Sequence, residues 1–109
     1  MEITFYNSKL RKLCEQNNKA QQKLGENCAR KLRSRLSDLE VAQSVGELVA
    51  GRPHPLDGNR AGQFAVDLAD GKRLVFKPND DPIPKKEDGS IDWLNVTKVC
   101  IVFIGDYHD

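Results

Sequence analysis

The chain has two histidines, His54 and His108. An unperturbed imidazole titrates near pH 6.5, so either ring could take or give a proton at ordinary pH. Arg73 adds a guanidinium that is always charged, with a planar fork suited to a phosphate that gains charge in a transition state. Two proton-transfer groups and a fixed cation are parts for acid–base chemistry on a phosphoester. Each residue also has a plainer reading. His54 could be an exposed loop histidine, His108 part of a frayed tail one residue from the end, and Arg73 one half of a salt bridge with Asp67. Beside His108 stand Asp106, which could orient an imidazole or arginine, and Tyr107, which could pack or stack on a base.

The elements that would position these residues can be read from periodicity. Ile3 to Tyr6 is a short β-prone segment, and Ser8 stands where a helix N-cap would, ahead of a stripe of Leu10, Leu13 and Cys14 that Leu24 could continue. Gly25 ends this first helix. Cys28, Leu32, Leu36 and Leu39 then recur at helical spacing, with Arg30, Lys31, Arg33 and Arg35 on the polar flanks. Two consecutive helices joined by a few residues form an antiparallel hairpin whose apolar stripes need a further surface.

The second half supplies that surface. Gln63 to Leu68 alternates Phe64, Val66 and Leu68 with polar or small residues, Asp70-Gly71 makes a tight turn, and Lys72 to Lys77 returns with Arg73 facing away from Leu74 and Phe76. His54 lies between two prolines that stiffen the approach to this hairpin. Pro78 to Ser90 is a long and mobile surface loop ahead of Ile91 and Trp93, and Trp93 is a packing anchor rather than a stacking platform. Val99 to Ile104 is an interior strand covered on both faces, ended by Gly105. The expected class is α+β: a short strand, a helix hairpin, an antiparallel hairpin and a last central strand.

A length of 109 residues fits one domain over the whole chain, and 39% hydrophobic with 30% charged residues is the balance of a folded globular protein. No apolar run approaches the roughly 20 residues that span a bilayer, and the N-terminus lacks a signal-peptide core, so the expected address is the cytosol. Cys14, Cys28 and Cys100 form no CxxC pair and read as reduced, buried thiols. Lys and Arg outnumber Asp and Glu ten to six through His54, and trail seven to ten thereafter, so the helical half presents a basic field that a polyanion would sense. There is no Gly-rich phosphate loop, no HExxH and no serine-nucleophile motif, and the spacing of His54 and His108 matches no metal-ligand pattern. Neither a metal nor another cofactor is expected.

The segment His54-Pro55-Leu56-Asp57-Gly58-Asn59-Arg60, the strand Lys72-Arg73-Leu74-Val75-Phe76 and the terminal Asp106-Tyr107-His108 occur in order and at a spacing that resembles HigB-type plasmid-maintenance killer proteins of the RelE/ParE toxin superfamily. The resemblance implies a RelE-like fold, with a helix hairpin on a curved antiparallel sheet and RNA bound in its concave face. It also implies a toxin of a type II toxin-antitoxin system that cuts translated messenger RNA on the ribosome. Its implied partner is a HigA-like helix-turn-helix antitoxin, through which alone it would meet operator DNA.

Metal-free RNA cleavage needs the ribose 2′-hydroxyl deprotonated, a charged phosphorane stabilised and the leaving 5′-oxygen protonated. His54, Arg73 and His108, with Asp106 and Tyr107, are the candidates for these tasks. Arg60 and Lys77 would hold flanking phosphates. Arg30, Lys31, Arg33 and Arg35 could dock on ribosomal RNA, or simply form a solvated helix face. The loop Asn79 to Ser90 is longer than in compact family members and could cover part of the cleft or contact a partner. Two rival functions remain open: a ParE-like toxin that binds DNA gyrase without cutting RNA, and an inactive member that represses its operon with the antitoxin.

Overall fold

A computed structural model describes residues 1–106, and the candidate site residues Tyr107 and His108 lie outside the described residues. In chain order the elements are β1 (Glu2–Phe5), α1 (Ser8–Glu15), α2 (Asn17–Leu24), α3 (Glu26–Val41), β2 (His54–Pro55), β3 (Phe64–Asp67), β4 (Arg73–Pro78) and β5 (Lys98–Gly105), with single 3-10 turns at Val45–Glu47, Gly58–Arg60 and Trp93–Asn95. The strands form one five-stranded sheet in the order β1-β5-β4-β3-β2. This is the α+β arrangement expected, but the sheet is mixed rather than antiparallel, because β1 runs parallel to β5. The reason is topological. A long connection separates β1 from β5, so no hairpin forces them antiparallel.

The first helical stretch is two helices, not one. Gln16 leaves helical geometry with φ −117° and ψ 102°, closing α1 and opening α2. The Gln16-Asn17-Asn18 stretch offers no core residue, and asparagine is a weak helix former, so the apolar stripe lapses after Cys14 and resumes at Ala20. The N-cap is also one residue earlier than expected. The Asn7 side chain accepts from Leu10 N–H at 2.9 Å, while Ser8 is already helical. Gly25, at φ 86°, separates α2 from α3 as the sequence indicates.

All three helices pack on one face of the sheet. Leu10, Leu13, Ala20, Leu24, Cys28, Leu32 and Leu39 form one core with Phe64, Val66, Leu74, Phe76, Val99, Ile101 and Ile104. Trp93 packs against this core with its ring 4.8 Å from that of Phe64, as an anchor should. Asp70 and Gly71 both have positive φ, at 58° and 76°, and Lys72 N–H donates to Ala69 O, which is the turn geometry that matches strand twist.

Three features depart from the expectations of the sequence. Ala65 and Val75 are fully buried although they lie on the face away from the helices and outside the main core. A bulge interrupts the β4–β5 ladder: Val75 pairs with Phe103 but Phe76 pairs with Ile101, leaving Val102 as the extra residue. Strict alternation would put Ile101 and Phe103 on one face. The bulge instead sends Ile101 into the core and Phe103 to the opposite face. The loop after β4 is tied down rather than loose. Asp80 accepts from Thr97 N–H and Oγ1 and from Lys98 N–H, and Asp92 N–H donates to Pro84 O. Partial burial raises the Asp80 carboxyl, but these hydrogen bonds outweigh it and hold the group below its ordinary range.

Among the described residues, no helix is long and apolar enough to cross a membrane. Cys28 and Cys100 are buried and Cys14 half-buried, all as free thiols, and burial pushes the Cys14 thiol up to about 12.

The cap assignment has a direct consequence. Asn7→Ala should destabilise the protein by about 1 kcal/mol in urea unfolding, while Ser8→Ala should change it by less than about 0.5 kcal/mol.

Candidate functional site

The sheet face opposite the helices gathers most of the candidate residues. Its rows follow from register, since directly paired residues point to the same side. One row contains His54, Ala65, Val75 and Phe103 across β2, β3, β4 and β5. The adjacent row contains Asp67, Arg73 and Gly105, and beyond the bulge a third contains Lys77, Cys100 and Thr4. His54 and Arg73 are two strands and one row apart. With strands about 4.8 Å apart and a two-residue step of roughly 6.7 Å, their backbones stand about 12 Å from each other, so the two side chains can address one group between them.

His54 is held rather than loose. Its Nδ1 lies 2.7 Å from the backbone carbonyl oxygen of Arg52. A carbonyl only accepts, so Nδ1 carries the hydrogen in this bond, and the neutral ring keeps its lone pair on Nε2. The sequence placed His54 on the approach to a strand. The structure makes it the first residue of the two-residue edge strand β2.

Arg73 faces away from Leu74 and Phe76, as expected, and its alternative partner is present as well. Its Nε lies 3.3 Å from Asp67 Oδ1, and its Nη1 donates to Gly71 O at 2.7 Å. Asp67 also receives Arg52, whose Nε lies 2.9 Å from Oδ2. One carboxylate therefore joins two guanidinium groups. Asp106 is exposed just past β5, and its carboxylate lies near Gly71, whose carbonyl accepts from Arg73.

Arg60 comes from the 3-10 turn before β3, yet its guanidinium sits 4.5 Å from the centre of the Phe103 ring on β5. The side chain therefore lies over the sheet face on which Ala65 and Val75 are buried. Gln63 Oε1 accepts from Arg60 Nη1 at 3.0 Å and steadies the arrangement. Lys77 projects on the same face, exposed, with its ammonium 6.0 Å from the ring centre of Tyr6. Tyr6 is 69% exposed and is available to stack on a planar group.

The four basic residues of α3 are not part of this face, since their helix packs on the other side of the sheet. Arg30 bonds Asn27, and Arg33 bonds Asn17 at the start of α2. Arg35 is not on an open flank: it pairs with Asp38 at 3.2 Å with its side chain only 14% exposed, and it touches Gly51. Lys31 is exposed. A different set of cations converges where α1 and α2 meet: Lys9, Lys12, Lys19 and Lys23 line a cleft of about 370 Å³ beside Leu13. The break at Gln16 separates the two helices that supply these lysines.

Periodicity alone missed three residues of the open face. Phe103 is turned outward by a bulge inside a uniformly apolar run. Arg52 is noticed only through its hydrogen bonds. Tyr6 could have been found, as the aromatic end of the first β-prone segment. Among the described residues, no group of three or more His, Cys, Asp or Glu side chains could hold a metal ion.

No model of a known protein family matches the chain. A curated relative, a toxin named YoeB from Streptomyces coelicolor, is 33% identical over 57 residues, covering 43% of this chain and 68% of the relative. A solved YoeB/ParE toxin from Agrobacterium tumefaciens superposes with a TM-score of 0.59 at 12% identity, over 99% of this chain and 100% of the other. A chain from a YoeB-YefM complex of Staphylococcus aureus superposes with a TM-score of 0.58 at 17% identity, over 100% and 98%. The expected RelE-like fold is thereby present.

Gly51 is the tightest point beneath the site. It has φ +83°, and an added Cβ would meet Arg35 Cδ at 3.0 Å and the backbone oxygen of Asp67 at 3.1 Å. Gly51→Ala should therefore destabilise the fold by about 1–2 kcal/mol in urea unfolding and shift the His54 ring resonances.

Proposed function

The chain belongs to the YoeB/ParE toxin family of the RelE superfamily, and from that membership we propose that it is the toxin of a type II toxin-antitoxin system and a metal-independent endoribonuclease acting on translated messenger RNA. The observation that carries this reading is the His54 ring. Its Nδ1 is fixed on the Arg52 carbonyl, and it sits in one row of the open face with Phe103 and one row from Arg73.

In this reading the Nε2 lone pair of His54 takes the proton of a ribose 2′-hydroxyl. The O2′–P bond forms and the P–O5′ bond breaks, leaving a 2′,3′-cyclic phosphate and a 5′-hydroxyl once the leaving oxygen is protonated. With His54 taken as the base, we assign that second proton to His108, the other histidine of the resemblance. Arg73 neutralises the phosphorane, exchanging part of its contact with Asp67 for the more highly charged phosphate. Asp106 would orient Arg73 or an imidazole, and Tyr107 would pack against a base. Arg60 and Lys77 hold flanking phosphates, and Phe103 and Tyr6 offer ring faces to bases.

Within the superfamily, the segment His54 to Arg60 and the terminal Asp106-Tyr107-His108 are our basis for placing the chain in the HigB-type branch, although the relative matched by sequence has a YoeB name, which is a different subfamily. The solved Staphylococcus aureus relative is in complex with YefM. By analogy the neutralising partner here is an antitoxin, proposed as HigA-like, which alone brings the toxin to operator DNA. Docking on the ribosome in the cytoplasm falls to the helical side, where Arg30, Lys31, Arg33 and the α1–α2 lysines present cations suited to phosphates.

Growth arrest on induction should vanish in folded His54→Ala, Arg73→Ala and His108→Ala variants, with cleavage slowed at least about 100-fold. Full toxicity in all three variants contradicts the proposal. Inhibition of gyrase supercoiling with messenger RNA left intact would favour the ParE-like alternative instead.

A further inference from the structure

We propose that Arg52 and Asp67 are positioning residues of the site: together they hold the Arg52 carbonyl against His54 Nδ1 and so keep Nε2 as the unprotonated nitrogen. The inference rests on the RNA-cleavage reading above and names what sets its base. Arg52 has φ 49°, a left-handed backbone that a residue with a Cβ seldom adopts. This conformation aims its carbonyl at the imidazole two residues on.

Among the described residues, two hydrogen-bonded contacts from the turn end on Asp67. Asp67 N–H donates to Gly51 O at 2.6 Å, and the Asp67 carboxylate receives Arg52 Nε at 2.9 Å and Nη2 at 3.5 Å. The same carboxylate receives Arg73 Nε at 3.3 Å. Asp67 thus ties the geometry of the proton acceptor to that of the cation meant for the phosphate. Arg52 acts on His54 through its main chain, and its guanidinium serves to lock that main chain.

Replacement at Arg52 separates the main-chain role from the charge. Alanine removes the clamp and keeps the steric objection to a left-handed backbone. Glycine removes the clamp but enters that backbone freely. Imidazole nitrogen resonances of the labelled full-length chain should show His54 as the Nδ1–H form in the wild type and in Arg52→Gly, and as a mixture in Arg52→Ala and Asp67→Asn. On ribosomes programmed with messenger RNA, Arg52→Ala should lower kcat about 10–100-fold with little change in KM, Arg52→Gly should lose less than about 5-fold, and Asp67→Asn should lose most because it also loosens Arg73.

An unchanged tautomer in Arg52→Ala overturns the proposal. So does an equal rise in KM for the Ala and Gly variants, which would assign the guanidinium to RNA binding. If the wild type leaves RNA intact, the parent reading fails, while the imidazole spectra still decide whether Arg52 and Asp67 set the tautomer.

Discussion

The open face of this protein depends on one carboxylate. Asp67 ends β3, pairs with Arg73 across the hairpin, receives Arg52 from the turn before β2, and uses its own N–H to hold Gly51. The ion pairs are partly exposed, with side-chain exposures of 64% and 25% for the two arginines and 32% for Asp67. Pairs in such settings stabilise a fold by only about 0–1 kcal/mol each. Their consequence is therefore geometric. They fix where a carbonyl and a guanidinium point, and through the carbonyl they fix which imidazole nitrogen holds the lone pair.

The second constraint is the bulge at Val102. Without it, Phe103 would share a side with Ile101 and enter the helix-facing core. With it, β5 contributes Ile101 and Ile104 to the core and Phe103 to the opposite face, where Arg60 lies over the ring. Burial on both sides explains why the strand reads as an unbroken apolar run, and the bulge explains why that run still yields a ring for the open face. The helices complete the division of labour. Their apolar stripes cover one side of the sheet, which leaves the other side for polar chemistry, and the interruption at Gln16 turns their lysines toward a cleft of their own.

Much of the frame was legible in the sequence because it is written in local rules. The alternation of Phe64 and Val66, the Asp70-Gly71 turn and the break at Gly25 follow from side-chain period and from residues that tolerate positive φ. The helix start was displaced by one residue because Asn7 and Ser8 are both good caps, and only the accepted hydrogen bond from Leu10 distinguishes them. The parallel β1–β5 pairing, the bulge and the left-handed Arg52 depend on tertiary register, which periodicity does not encode. His54, Arg60, Arg73 and Lys77 were legible as candidates by residue type, and the fold places them on or over one face. Of the α3 cations, Arg35 is taken up by its pair with Asp38 and by packing, whereas Arg30 and Arg33 stay exposed with one asparagine bond each.

In the proposed function, His54 serves as the base in RNA cleavage that accompanies translation. Mapping the 5′ ends of cellular transcripts after induction of the wild type and of His54→Ala tests it most directly. The expected outcome is new ends carrying a 5′-hydroxyl, placed in frame within translated codons and absent from untranslated transcripts and from the His54→Ala cells. Growth arrest by the wild type with no new transcript ends, or the same ends in His54→Ala, would contradict it.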